Sequence, residues 1–381
     1  MTDLQQHLLN TFLSLVKIDS QSYNEGNIQS FVASELKKLG CRVRVDNAGK
    51  KFKTTAKGNV VAFLPGTVKS EPFVLVSHLD TVSPGNGVKP IVKKTEITSD
   101  GTTILGADDK AGVAIALEIV RQLKHSKLPH PPVEVVFTLC EENGMNGSKN
   151  LDISLIKGRE GLVLDNEEVE ELLVQGPAVN TIEVTVRGQA AHAGVCPEKG
   201  ISAVQVAAEA ISRMKLGRID KETVANIGIV QGGLATNIVT EEVCLKGEAR
   251  SLANAKLDRQ TAHMKKCFEA AVKKFTKKID GKICCPKVTF SVIRRYDAVH
   301  VSKTHPIVKA VLRAAKGHHV ALRAAASGGG CDANVLSGKG FTLPNLGVGV
   351  RACHTLKEKL ILSEFFTAFE IVLQTVLNYK K

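Results

Sequence analysis

Tryptophan is absent from this 381-residue chain, tyrosine occurs three times, and aromatic residues make up only 4% of it. A binder that stacks bases or sugar rings on aromatic side chains is therefore not expected. Zinc-knuckle spacing, a helix-turn-helix pattern and an aromatic RNA-binding motif are also missing. No apolar run reaches the roughly 18 residues that cross a bilayer. The nine cysteines include no CxxC pair, and the adjacent Cys284 and Cys285 cannot bridge one another without strain. An odd, scattered set with no secretory leader reads as free thiols in a reducing compartment, so the expected location is the cytoplasm. The formal charge of +13 is spread along the chain, with a local concentration in "VKKFTKKIDGK" (272–282). That stretch reads as a solvated helix face and its exit, so neither nucleic acid nor membrane is an expected partner.

What remains is an ordinary globular composition, 43% hydrophobic and 23% charged, long enough for two domains. From residue 1 to about 178, helical segments near 27–39 and 110–124 alternate with apolar strands at 58–66, 73–80, 133–139 and 161–166. That rhythm predicts an α/β domain: a mostly parallel sheet with flanking helices. The middle differs. "NTIEVTVRG" (180–188) alternates with period two. A helix near 200–216, strands near 224–231 and 237–250, a helix near 254–278 and a strand at 287–295 follow. This β-α-β-β-α-β order is the ferredoxin-like split motif. The α/β rhythm returns after about 300, with helices near 305–316 and 363–379. Residues 1–178 and 297–381 thus form one discontinuous domain, and 179–296 an inserted one.

In α/β sheets, ligands gather beyond the carboxyl ends of the strands, and several strands here deliver acids or imidazoles at that end. "VLVSHLDTV" presents His78 and Asp80 on one face, "LGADDKAG" presents Asp108 and Asp109, "FTLCEENG" presents Glu141 and Glu142, and "LVLDNEE" presents Asp165. "GVRACHTLKE" adds His354 after another apolar run. Singly these are ordinary surface histidines, turn formers and helix N-caps. Their recurrence at successive strand ends points to a metal site, and imidazole with carboxylate suits zinc, cobalt or manganese. The adjacent Glu141 and Glu142 then divide their work. If Glu142 ligates a metal, Glu141 stays free to take a proton from metal-activated water, and the cations offset the repulsion between the two acids.

The ordered set "SHLDTV", "GADDKAG", "EENG", "LDNE", "GQAAHAG" and "CHT" resembles the dinuclear zinc exopeptidase family of the peptidase T type, which also includes aminoacylase and succinyl-diaminopimelate desuccinylase. The resemblance covers nearly the whole chain. It implies two divalent metal ions, zinc with cobalt or manganese as alternatives, held by His78, Asp108 (bridging), Glu142, Asp165 and His354. It implies that Asp80 orients His78, that Glu141 is the general base toward a metal-bridging water, and that Asp109 falls on a variable position. It further implies that His192 steadies an oxyanion, often from a partner subunit, and that Asn237 and Arg250 grip the substrate. Gly330, in "SGGGCDAN" (327–334), would lie in a loop that a peptide backbone approaches. Three cysteines depart from the family pattern: Cys140 before the acidic pair, where many relatives carry Asp, Cys331 in the glycine-rich loop, and Cys353 beside His354. A thiol at 140 could be oxidised or alter the field around Glu141.

The implied activity is hydrolysis of short peptides, foremost as a tripeptide aminopeptidase acting as a homodimer joined through the inserted domain. An N-acyl-amino-acid deacylase or carboxypeptidase using the same site is the alternative within enzymes. A non-catalytic metal and peptide binder is the alternative outside them.

Overall fold

The computed structural model describes residues 1–125 and 128–379. The chain divides into two compact units, one built from Met1–Gly176 together with the segment that begins at Val299, the other from Pro177–Ala298.

The first unit is an α/β sandwich. Its large sheet runs in the order 42–45, 60–64, 133–138, 73–78, 160–166, 345–347, 171–176 and 299–300. The centre is parallel: Phe73–His78 pairs in parallel with 133–138 on one side and with 160–163 on the other, and 345–347 joins 160–166 in parallel. Antiparallel strands close both edges. All six residues of Phe73–His78 and of Val133–Thr138 are buried, which is why these strands read as continuous apolar runs rather than alternating ones. The one acid among them, Glu134, is satisfied by the backbone amides of Lys157 and Gly158, at 2.7–3.0 Å.

The helix Ala107–His125 is buried along most of its length and packs close to the sheet. A Cβ on Gly112 would stand 2.2 Å from the Leu164 carbonyl oxygen and 2.7 Å from Ser77 Oγ, so only glycine lets the helix approach this closely. Because the central strands run in one direction, His78, Thr138 and Asn166 end on the same sheet edge, where the helix also begins. A smaller sheet of 350–351, 359–361, 96–98 and 91–92 braces the loop 352–358.

The second unit is an antiparallel sheet in the order 217–218, 223–232, 242–251, 178–187 and 287–296. Helices Ala203–Arg213 and Asn254–Phe275 complete the β-α-β-β-α-β order and share a core that includes Ile182, Val184, Leu257, Met264 and Phe268. Several boundaries differ from the sequence reading, two of them with a change of local structure. The strand expected from 237 begins at Glu242, and the residues before it form a loop. The helix expected to reach 278 stops at Phe275. The lysine-rich exit is instead a hairpin of 277–279 with 282–284. Asp280 and Gly281, both at positive φ, make its two-residue turn.

Among the described residues, no helix is long and apolar enough to cross a membrane.

Candidate metal centre

His78 ends its strand buried, with Nδ1 3.0 Å from the Asp80 carbonyl oxygen. A carbonyl only accepts, so Nδ1 carries the proton and Nε2 is left to ligate. That Nε2 lies 3.2 Å from Asp108 Oδ1 and 3.6 Å from Asp165 Oδ1. On the other side, His354 Nε2 lies 3.2 Å from Asp108 Oδ2 and 2.8 Å from Glu142 Oε1. The Asp108 carboxylate therefore stands between two imidazoles and offers one oxygen to each. The result is two half-sites: His78 with Asp165, and His354 with Glu142. Ligand atoms of His78, Asp108 and Glu142 fall within 4.8 Å of one another.

Asp80, fully buried, stands 3.4 Å from His78 Nδ1 through its carboxylate. It also accepts from Ser22 Oγ (2.6 Å) and from the amides of Glu141 (2.9 Å) and Glu142 (3.3 Å). It thus fixes one imidazole and the acidic loop together. Asp109, beside the shared carboxylate, has a structural task. It is 1% exposed, accepts from the His78 amide at 3.1 Å and the Gly112 amide at 3.2 Å, and so ties the ligand loop to the strand and the helix. It also lies within ligand reach of His78 and Asp165.

The electrostatics are those of a buried acidic site that favours cations. Burial pushes the Asp165 carboxyl up to about 7. Burial and the Asp165 charge push Glu141 well above the carboxylate range, and burial also raises Glu142. Burial works against Asp108 ionising too, yet its bonds from His354 and His78 hold it well below its ordinary value. The bond to Asp108, followed by that to Glu142, lifts His354 to about 10. Four carboxylates share a buried space in which, among the described residues, the only side chains bonded to them are two imidazoles. That donor set fits divalent cations, which would offset the repulsion. Glu141 differs from its neighbours, because among the described residues nothing hydrogen-bonds to its carboxylate.

Cys140 is held by Glu25, which accepts from both its amide (3.0 Å) and its thiol (2.8 Å). Burial and that bond push the thiol strongly up. A buried, protonated thiol is a poor target for oxidation. Cys331 joins the site through Asn345, whose Nδ2 lies 3.5 Å from its sulfur and 2.7 Å from the Asp165 carbonyl oxygen. In the loop before it, a Cβ on Gly328 would meet nothing within 4 Å. The fold itself does not demand glycine there.

Sequence reasoning missed Glu358. It is buried, and its two oxygens accept from the amides of Gly106 (2.8 Å) and Asp108 (3.0 Å).

The other expected residues lie in the second unit. His192 and Asn237 sit on touching loops: the Ala193 amide donates to the Asn237 carbonyl at 2.9 Å, and His192 bridges Ile238. Arg250 pairs with Glu248 through Nε at 2.8 Å and lies at the far end of its strand.

Residues 74–378 match the family described as Peptidase family M20/M25/M40. The chain is 40% identical to an aminopeptidase PepT of Bacillus cereus, covering 99% of each chain with a TM-score of 0.93. It is 37% identical to a tripeptidase of Staphylococcus aureus, covering 98% of this chain and 97% of the other, with a TM-score of 0.92. An uncharacterized protein of Bacillus subtilis, YqjE, is 39% identical over 98% of each chain.

Proposed function

The chain belongs to the peptidase family M20/M25/M40 and is a metal-dependent hydrolase of peptidase T-like type; from that premise we propose that it is a tripeptide aminopeptidase. The observation that carries this reading is the Asp108 carboxylate shared between two imidazoles, with Glu141 unbonded beside it. Full-length similarity to an aminopeptidase and to a tripeptidase supports the choice of substrate.

His78, Asp108 and Asp165 would hold one divalent cation, and His354, Asp108 and Glu142 the other, with zinc, cobalt or manganese suited to these donors. When bound, the ions lower the pKa of water and polarise the scissile carbonyl. Glu141 accepts the proton of the attacking water and delivers it to the leaving amine nitrogen. Asp80 keeps His78 turned toward its ligand position and holds the Glu141 backbone in place. The glycine-rich loop around Gly330 leaves room for the peptide backbone. His192 donates toward the carbonyl oxygen, Asn237 orients the substrate, and Arg250 pairs with its carboxylate.

These last roles favour a homodimer. His192 and Asn237 belong to the end of the second unit's sheet where Arg187 pairs with Glu242, whereas Arg250 pairs with Val179 at the opposite end. Eight residues of strand span about 27 Å, and an extended tripeptide reaches about 11 Å. That separation exceeds the length of one tripeptide, which supports a homodimer whose two copies divide these residues. The outer edge of strand 223–232, with Ile229 and Val230 about half exposed, suits that contact. Nine free thiols suit a reducing cytoplasm.

The test is hydrolysis of free tripeptides by metal-loaded protein, with N-acetyl tripeptides and N-acyl amino acids in parallel. Preferred cleavage of the blocked substrates, or no cleavage of any, would overturn the proposal. Mixing inactive His192→Ala and Arg250→Ala variants should restore part of the activity if two copies share a site.

A further inference from the structure

Beside the half-site of His354, the first unit holds a cavity of ≈ 190 Å³ whose lining includes Asp108, Asp109, Asp165, Glu167, Val348 and Val350. The four acids are not equivalent. Asp108 faces two imidazoles and Asp165 faces one. Asp109 is taken up by two backbone amides. Among the described residues Glu167 keeps only the thiol of Cys353 as a side-chain donor, and a thiol is a weak one. No lysine or arginine among the described residues pairs with the Glu167 carboxylate. Nearby Arg351 is neutralised elsewhere, with both Glu364 oxygens 2.8 Å from its guanidinium.

The wall that carries Glu167 is fixed. Its carbonyl oxygen accepts from the Gly349 amide at 2.8 Å and from Arg351 at 3.2 Å, and the Val348 amide donates to the Asn166 carbonyl at 2.9 Å. The cavity thus offers one spare carboxyl group on a rigid wall, an apolar side formed by Val348 and Val350, and the metal ligands within the same enclosure. A free α-ammonium group next to a short side chain has the complementary character.

We propose that Glu167 is the specificity-determining anchor for the substrate's free amino terminus, setting that ammonium group beside the metal half-sites so that the first peptide bond is the one presented. The inference rests on the aminopeptidase reading and adds to it which residue selects the amino end.

The test uses binding, so that it stands apart from turnover. Metal-loaded protein carrying Glu141→Gln is titrated with trialanine and with propionyl-dialanine, which has the same backbone without the amine. A hydrogen bond between charged groups contributes about 1.5–3 kcal/mol, so trialanine should bind roughly 10- to 100-fold more tightly. Adding Glu167→Gln should bring the two ligands to within about threefold of each other at unchanged metal content, and Glu167→Asp should keep part of the preference. Equal binding of the two ligands when Glu167 is present would overturn the proposal, as would an undiminished preference in the Glu167→Gln protein. If Glu167→Gln does not fold, the trialanine preference with Glu167 in place and its partial retention in Glu167→Asp decide the matter. Failure of otherwise unaltered protein to cleave any free tripeptide would instead count against the aminopeptidase reading, independently of the binding ratio.

Discussion

Stripping the metal and raising the pH should weaken the fold, and the sign follows from the site. Asp165, buried among acids, has its carboxyl raised from 3.8 to about 7. Glu358, buried against the ligand loop, rises from 4.5 to about 7. An acid whose pKa is raised by folding binds more protons folded than unfolded, so stability falls as pH climbs from the unfolded value through the folded one. At about 1.4 kcal/mol per pKa unit, Asp165 accounts for about 4 kcal/mol and Glu358 for about 3 kcal/mol. His354, raised to about 10, acts in the same direction at higher pH: its contribution is full below 6.5 and lost as pH rises through 10. Asp108, lowered, is the opposing group, and its contribution is lost only in strong acid. Denaturant unfolding of chelator-treated protein at pH 5, 6, 7 and 8 should therefore show stability falling by several kcal/mol. Metal-loaded protein should lack most of that slope, because bound cations keep the acids ionised. Metal-free protein that is as stable at pH 8 as at pH 5 would refute the reasoning.

Glu358→Ala leaves the Gly106 and Asp108 amides buried without an acceptor. We expect a loss of about 2–4 kcal/mol in urea unfolding together with weaker metal uptake; a change below about 0.5 kcal/mol would contradict its positioning role. Gly112→Ala places a methyl group 2.2 Å from the Leu164 carbonyl oxygen, so the melting temperature and metal affinity should fall together, and unchanged values would show that the helix can retreat. Glu141→Gln should cut turnover by roughly 10²–10⁴-fold while calorimetry shows metal binding retained. Lost binding would make Glu141 a ligand rather than a proton carrier.

Most of this architecture was legible because burial imposes itself on sequence. Phe73–His78 and Val133–Thr138 are buried throughout, so their apolar runs announced central strands, and the parallel arrangement carried their terminal acids to one edge. His78, Asp108, Glu142, Asp165 and His354 were readable for that reason, although they span nearly three hundred positions. What sequence hid was backbone satisfaction. Glu358 acts on amides rather than on side chains, and no spacing rule reveals which buried acid will find two free N–H groups, whereas the Asp109 bond to the Gly112 amide is the N-cap expected of an acid at a helix start. The division of His192 and Asn237 from Arg250 was equally invisible. It follows from the pairing of Val179 with Arg250 and of Arg187 with Glu242, and register is a property of partners, not of a strand read alone. The hairpin at 277–284 did carry a signal, Asp280–Gly281, which the lysine pattern around it obscured.

Anomalous diffraction from crystals of zinc-loaded protein tests the shared-carboxylate claim most directly. The account predicts two peaks about 3.5–4 Å apart, one between Asp108 and His78 and the other between Asp108 and His354. A single ion, or two ions with Asp108 touching neither or only one, would contradict it.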